Sequence, residues 1–138
     1  MAERTGRCFC GAVGWETDGR VRWAGHCHCD SCRRATSAPF TSFFGVKRDE
    51  VSWTGALAFL ETSGGTVQRG FCAKCGSQML YQADRWPSET HLYAATLDDP
   101  TRFEPRAHFH WDERLTWVHI TDDLPKYAAT ADDADPVA

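Results

Sequence analysis

The sequence predicts a mainly β domain of antiparallel sheets, and three observations carry that expectation. Helical periodicity is scarce along the 138 residues. Short runs rich in Val, Phe, Trp, Tyr and Thr recur instead, separated by Gly, Asp and Pro, which is the pattern of strands and turns. These runs are too short and too closely spaced for strand–helix–strand units. The third observation is that the seven cysteines fall into three tight clusters. Such clusters pin small folds through a tetrahedral zinc rather than through a large core.

In chain order, strands are expected at residues 12–17, 21–28, 40–46, 57–61, 67–71, 78–82, 91–96 and 115–120. Asp18-Gly19 separates the first two, as a turn-forming pair. Residues 31–36 read as a short helix with Asp30 or Ser31 as its N-cap. Residues 47–50 turn the chain after the third strand, and Ser63-Gly64-Gly65 separates the fourth from the fifth. Cys72-Ala73-Lys74-Cys75-Gly76 separates the fifth from the sixth, and Asp98-Asp99-Pro100 follows the seventh. Residues 1–127 are expected to form a single zinc domain. Residues 128–138 are acidic, have almost nothing to bury, and are expected to be frayed.

Composition narrows the function classes. A hydrophobic content of 42% and a charged content of 25% are those of a soluble globular protein. A net charge of −4 supplies no basic footprint, so nucleic acid is not an expected partner. No apolar run approaches the roughly 20 residues needed to span a bilayer, so no membrane association is expected either. The N-terminal stretch carries charges and no apolar core, which is not a secretory signal. A reducing, cytoplasmic location follows as the expectation. There, clustered cysteines read as metal ligands more often than as disulfides.

Cys72 and Cys75 form a C-x-x-C turn that can place two sulfurs on one metal. Gly76 lets the chain leave that turn with positive φ at no steric cost. Cys8 and Cys10 lie two apart, so an extended strand points both to one face. Two such half-sites close one tetrahedron, and a closed site is structural. The alternative for Cys72 and Cys75 is a redox-active dithiol, which no surrounding strand–helix–strand pattern supports. Cys27, Cys29 and Cys32 form a second cluster of three, able to hold a zinc with one position open. Open sites are where zinc does chemistry. That fourth position could take water, a substrate thiolate, or a protein group such as His26 or Asp30. A second structural zinc closed by a histidine is the competing reading. Spacing alone also leaves open a pairing of Cys8 and Cys10 with Cys27 and Cys29.

His26 and His28 flank the ligands as packed or solvent-facing side chains, or as groups that support the metal. His91, His108, His110 and His119 read as structural. Most of the six tryptophans are expected in the core, with Trp86 and Trp111 as candidates to wall a pocket. Arg33 and Arg34 could clamp a carboxylate, or simply form a solvated helix face.

Four stretches together resemble a known family. They are Cys8-Phe9-Cys10-Gly11-Ala12-Val13, Cys27-His28-Cys29-Asp30-Ser31-Cys32-Arg33-Arg34, Phe71-Cys72-Ala73-Lys74-Cys75-Gly76 and Leu97-Asp98-Asp99-Pro100. His108, Trp111, Trp117 and Asp123-Leu124-Pro125-Lys126-Tyr127 extend the likeness, which spans residues 7–127. In that order they resemble the glutathione-dependent formaldehyde-activating enzyme (GFA)/CENP-V family. The resemblance implies an Mss4-like fold of antiparallel sheets stapled by zinc. It implies that Cys8, Cys10, Cys72 and Cys75 hold a structural zinc and that Cys27, Cys29 and Cys32 form a catalytic zinc site. It implies glutathione as co-substrate, with Arg33 and Arg34 binding it, and a carbon–sulfur lyase that joins it to formaldehyde. A small aldehyde of another kind, or a related thiol, fits the same residues. The main alternative is a non-catalytic zinc-stapled binding module. One stretch departs from the pattern. Residues 35–39 (Ala-Thr-Ser-Ala-Pro) stand where many relatives carry glycine, and the bulkier chain there would narrow the entrance beside the second zinc.

Overall fold

The computed structural model describes residues 2–131, 136 and 137. The fold is mainly β. Its strands are β1 (Arg4–Arg7), β2 (Gly14–Thr17), β3 (Trp23–Cys27), β4 (Thr41–Lys47), β5 (Val51–Thr54), β6 (Leu57–Thr62), β7 (Val67–Cys72), β8 (Gln78–Ala83), β9 (Glu89–Tyr93) and β10 (His108–Phe109). One α-helix, α1 (Asp30–Thr36), and several 3-10 turns complete the described elements. The chain forms two compact units, Met1–Trp23 with Phe44–Phe103, and Ala24–Phe43 with Glu104–Ala138.

The first unit contains a three-stranded antiparallel sheet in the order β1-β2-β5. β1 reads Arg-Thr-Gly-Arg and carries no apolar side chain, which is why composition did not reveal it. Its Gly6 pairs with Trp15, and a Cβ at Gly6 would fall 2.3 Å from the Trp15 ring. The glycine therefore lets the indole lie flat over the strand. Trp15 is buried, stands edge-on to Phe44 at 5.9 Å, and donates its Nε1–H to Thr96 Oγ1 at 3.0 Å. Strands β6 to β9 form an antiparallel meander, with a bulge between Gly70 and Phe71. Val46, Met79, Leu80 and Leu92 are fully buried in this unit and make up its apolar core with Trp15 and Phe44.

In the second unit β10 pairs parallel to β3, with His108 opposite His26 and Phe109 opposite Cys27. The residues of β4 that belong to this unit, 41–43, lie on the other side of β3. Gly25 permits the close approach of β10, because a Cβ there would meet Ala107 O and the Phe109 ring, each at 2.6 Å. Residues 125–127 run beside β10. His108 N donates to Pro125 O and Tyr127 N donates to His108 O, both at 2.8 Å.

Several sequence expectations shift. Residues 12 and 13 are not strand, because Val13 is tied back to Cys8 by two hydrogen bonds, N to Sγ at 3.3 Å and O from Cys8 N at 3.0 Å. Residues 115–120 are not a strand but a run of turns and irregular chain, with Trp117 66% exposed. Of the six tryptophans only Trp15 is fully buried. The helix begins one residue earlier than expected and its N-cap is Cys29, not Asp30 or Ser31. In the C-terminal stretch, Ala129 O accepts from His110 N at 2.8 Å and Val137 N donates to Lys126 O at 2.6 Å. The rest of the expected frayed tail, residues 132–135 and 138, lies outside the described residues. No helix among the described residues is long and apolar enough to cross a membrane.

Candidate metal centres

The first centre belongs to the first unit. Cys8 and Cys10 sit on the turn after β1, Cys72 ends β7, and Cys75 follows it. The four sulfurs all lie within 4.8 Å of one another. Cys8 and Cys10 stand 3.6 Å apart, and Cys10 and Cys72 stand 3.8 Å apart. Zinc–sulfur bonds of about 2.3 Å in a tetrahedron set sulfur–sulfur distances of about 3.8 Å, so the spacing fits a metal. A disulfide would need about 2 Å. The two turns are alike. Gly11 and Gly76 both take positive φ, at +80° and +81°, and a Cβ at either would meet nothing within 4 Å. Backbone conformation, not space, therefore selects glycine at both. Backbone N–H groups point at the sulfurs: Ala12 to Cys10 at 3.4 Å, Lys74 to Cys72 at 3.4 Å, and Cys75 to Cys72 at 3.3 Å. Hydrogen bonds from Ser77 hold the Cys75 thiol down at about 5. Such donors favour thiolate, the form that binds metal.

The second centre belongs to the second unit. Cys27 ends β3, Cys29 caps α1, and Cys32 lies in the first helical turn. Their three sulfurs also lie within 4.8 Å of one another. Cys29 Sγ accepts from Cys32 N at 3.3 Å, so a ligand sulfur does the capping work usually left to oxygen. Hydrogen bonds with Cys29 and Cys32, then burial, push the Cys27 thiol far up. The Cys29 thiol is lowered by its bond with Cys27 but raised more by Cys32 and by burial, ending at about 11. Three thiols this close do not ionise together unaided, and a bound cation is what makes three thiolates stable.

The half-sites thus assemble as Cys8, Cys10, Cys72 and Cys75 on one side and Cys27, Cys29 and Cys32 on the other, and the pairing of Cys8 and Cys10 with Cys27 and Cys29 does not occur. Among the described residues no His, Asp, Glu or further Cys completes the three-sulfur group. His26 points its Nδ1 to Ser42 Oγ at 2.8 Å, and Asp30 Oδ1 is held by Arg34 Nε at 2.9 Å.

Arg33 and Arg34 behave differently. Arg33 is largely buried and donates to His28 O at 3.2 Å and Glu113 O at 3.3 Å. The Arg34 side chain is 79% exposed and pairs with Asp30 at 2.9 Å. Trp111 packs edge-on against His28 and His108, and Trp86 packs against His91.

Sequence reasoning missed one feature. His28, on the chain between Cys27 and Cys29, is fully buried, and its Nε2 lies 2.9 Å from His108 Nδ1. His108 Nε2 in turn meets Asp122 Oδ2 at 2.9 Å. Burial first, then the neighbouring His108, pushes His28 down to about 4, so it is neutral near pH 7. Burial pushes the Asp122 carboxyl up, but hydrogen bonds from His108 and Leu124 N outweigh it and hold the group below the usual carboxylate range. Eighty residues separate the two histidines. No local spacing in the sequence could announce their contact.

A family model described as glutathione-dependent formaldehyde-activating enzyme matches residues 3–113, a stretch that contains all seven cysteines. The chain belongs to this family. Among curated proteins, an uncharacterized lyase of Schizosaccharomyces pombe is 28% identical over 81 residues, which are 59% of this chain and 58% of the relative. The matched region therefore spans little more than half of that relative's length. Among solved structures, a crystal structure of a Rhodobacter sphaeroides protein superposes with a TM-score of 0.58 at 25% identity. It covers 70% of this chain and 92% of its own. The mainly β fold expected from the sequence is thus shared with a solved protein.

Proposed function

We propose that the chain is a zinc-dependent carbon–sulfur lyase-type enzyme that joins glutathione, or a related thiol, to formaldehyde or another small aldehyde. Family membership supports the reaction class, and the relative named as a lyase agrees with it. The observation that carries the reading is the contrast between a complete four-sulfur group and a three-sulfur group that no further ligand among the described residues completes. The first is built to be closed, and the second to exchange its last ligand. Seven cysteines grouped as metal ligands rather than as disulfides suit a reducing compartment such as the cytoplasm.

In the addition, the thiol sulfur bonds to the carbonyl carbon, the carbonyl π bond opens, and the thiol proton ends on the oxygen. The product is an S-hydroxymethyl-type adduct when the aldehyde is formaldehyde. Cys27, Cys29 and Cys32 would hold the metal. Three thiolates would leave a divalent metal site net negative and poor at polarising a carbonyl, so the chemistry it would supply is to keep the incoming thiol ionised at neutral pH. Arg34, exposed and paired with Asp30, would be the guanidinium that meets a glutathione carboxylate. Arg33 supports the site differently, by tying the ligand loop to the segment at Glu113.

The test is calorimetric titration of reduced glutathione into zinc-loaded protein, beside a Cys29→Ser variant of verified metal content. Saturable binding that vanishes in the variant, together with loss of adduct formation, is expected. Full activity in a variant shown to lack the second zinc would overturn the reading. Absence of thiol binding by a protein holding two zincs would favour the binding module.

A further inference from the structure

His28 is the residue between two of the three ligands of the second centre, and the fold pins it at every polar atom but one. Its backbone N–H donates to Phe109 O at 3.0 Å. Its carbonyl accepts from Arg33 Nε at 3.2 Å. Its ring Nε2 meets His108 Nδ1 at 2.9 Å. The remaining atom, Nδ1, is buried and has no hydrogen-bond partner among the described residues. The orientation of the ring therefore rests on Nε2 alone, and so on His108.

His108 is itself fully buried, and its other nitrogen is held by the Asp122 carboxylate at 2.9 and 3.1 Å. An ionised carboxylate only accepts hydrogen bonds, so His108 Nε2 carries a proton. With His108 neutral, its Nδ1 is then a bare acceptor and His28 Nε2 must donate to it. Whatever the charge on His108, the only hydrogen bond to the His28 ring among the described residues comes through this chain. The Phe40 and Trp111 rings, each 5.1 Å from the His28 ring, pack against it without fixing its rotation by hydrogen bonding.

We infer that Asp122 and His108 are positioning residues for the three-cysteine centre: acting through His28, they hold the backbone between Cys27 and Cys29 in the geometry that receives the metal. The inference rests on the reading that these cysteines bind a metal. Asp122 is far along the chain, beyond the stretch that matches the family model, which ends at residue 113. Outer groups that orient a ligand shell typically change metal affinity by about 10- to 100-fold when removed.

Cobalt(II) titration tests this without any measurement of activity. Thiolate-bound cobalt has intense charge-transfer and visible bands, and a Cys29→Ser protein isolates the spectrum of the four-cysteine centre. The wild-type chain is expected to bind two cobalt ions. Asp122→Ala is expected to weaken only the second, by about tenfold or more. Asp122→Asn keeps an oxygen that accepts from His108, so it is expected to recover most of that affinity. Asp122 is 39% exposed, which makes its truncation compatible with folding. Equal weakening at both centres, or no recovery in the asparagine variant, would overturn the inference and leave a general stability effect. Two-site binding unchanged in Asp122→Ala would overturn it while leaving the metal reading intact. A wild-type chain that binds cobalt at the four-cysteine centre alone would overturn both.

Discussion

Ser37 shows how a single backbone angle separates what a residue type allows from what the fold demands. It closes α1 in the left-handed conformation, at φ +55° and ψ +31°, and its side chain is exposed. A left-handed residue with a Cβ costs roughly 1–2 kcal/mol, which glycine avoids at some cost in unfolded-state entropy. Ser37→Gly is expected to raise stability by up to about 1 kcal/mol in denaturant unfolding, without loss of the second metal. A destabilised glycine variant would show that the serine hydroxyl is holding the turn. At the same scale the cysteines were legible because a two- or three-residue spacing keeps two sulfurs within reach of one metal, although Cys8 and Cys10 stand on a turn and not on the expected extended strand, whereas His28 was not. Its neighbours in sequence say that it is near a metal, but not that it is fully buried against His108.

Among the elements, β3 and β10 carry the second centre. β3 delivers Cys27, and β10 delivers His108 in parallel register with it. Their closeness depends on Gly25, where any side chain would press on Ala107 O. Gly25→Ala is expected to cost about 1–3 kcal/mol, as overpacking against fixed backbone does, and to weaken cobalt binding at the second centre. Gly14→Ala is the matched control, because its Cβ would meet only the Thr54 hydroxyl at 3.1 Å and a more distant carbonyl. Equal effects from the two would refute a special role for the β3–β10 approach. Long strands such as β4, β6, β7 and β8 were readable from their apolar and aromatic content. β1, β10 and the irregular run at 115–120 were not. A strand of four polar or small residues, or of two residues, is made by its partner rather than by its own pattern.

For the whole molecule, the metals are expected to decide stability. A structural zinc contributes roughly 10–16 kcal/mol in small metal peptides, against about 5–15 kcal/mol of net stability for a whole domain. Cys8 and Cys72 are buried within the first unit, and the loop that joins their turns is long, so the four-cysteine centre constrains much of that unit. Cys75→Ser is therefore expected to abolish folding or cause aggregation, read by circular dichroism and size-exclusion chromatography. Cys29→Ser is expected to lose one metal and keep the fold. A folded, monodisperse Cys75→Ser protein lacking the first zinc would refute the structural assignment. Proton release on zinc binding should accompany both sites, since thiols must ionise to bind.

Residue chemistry and short spacing alone specified the β class, the metal-binding character and the turn glycine at Gly76. Those properties are local: strand alternation, turn conformation and the reach of a two- or three-residue sulfur pair do not depend on the rest of the chain. The family resemblance supplied the grouping of the cysteines, which spacing had left ambiguous. Tertiary structure decided what contact across long separations decides. It buried most of the Arg33 side chain on α1 while leaving Arg34 exposed, and joined Asp122, His108 and His28 into one hydrogen-bonded chain. Each of these links residues whose neighbours in sequence carry no record of the partner, so only the folded backbone determines them.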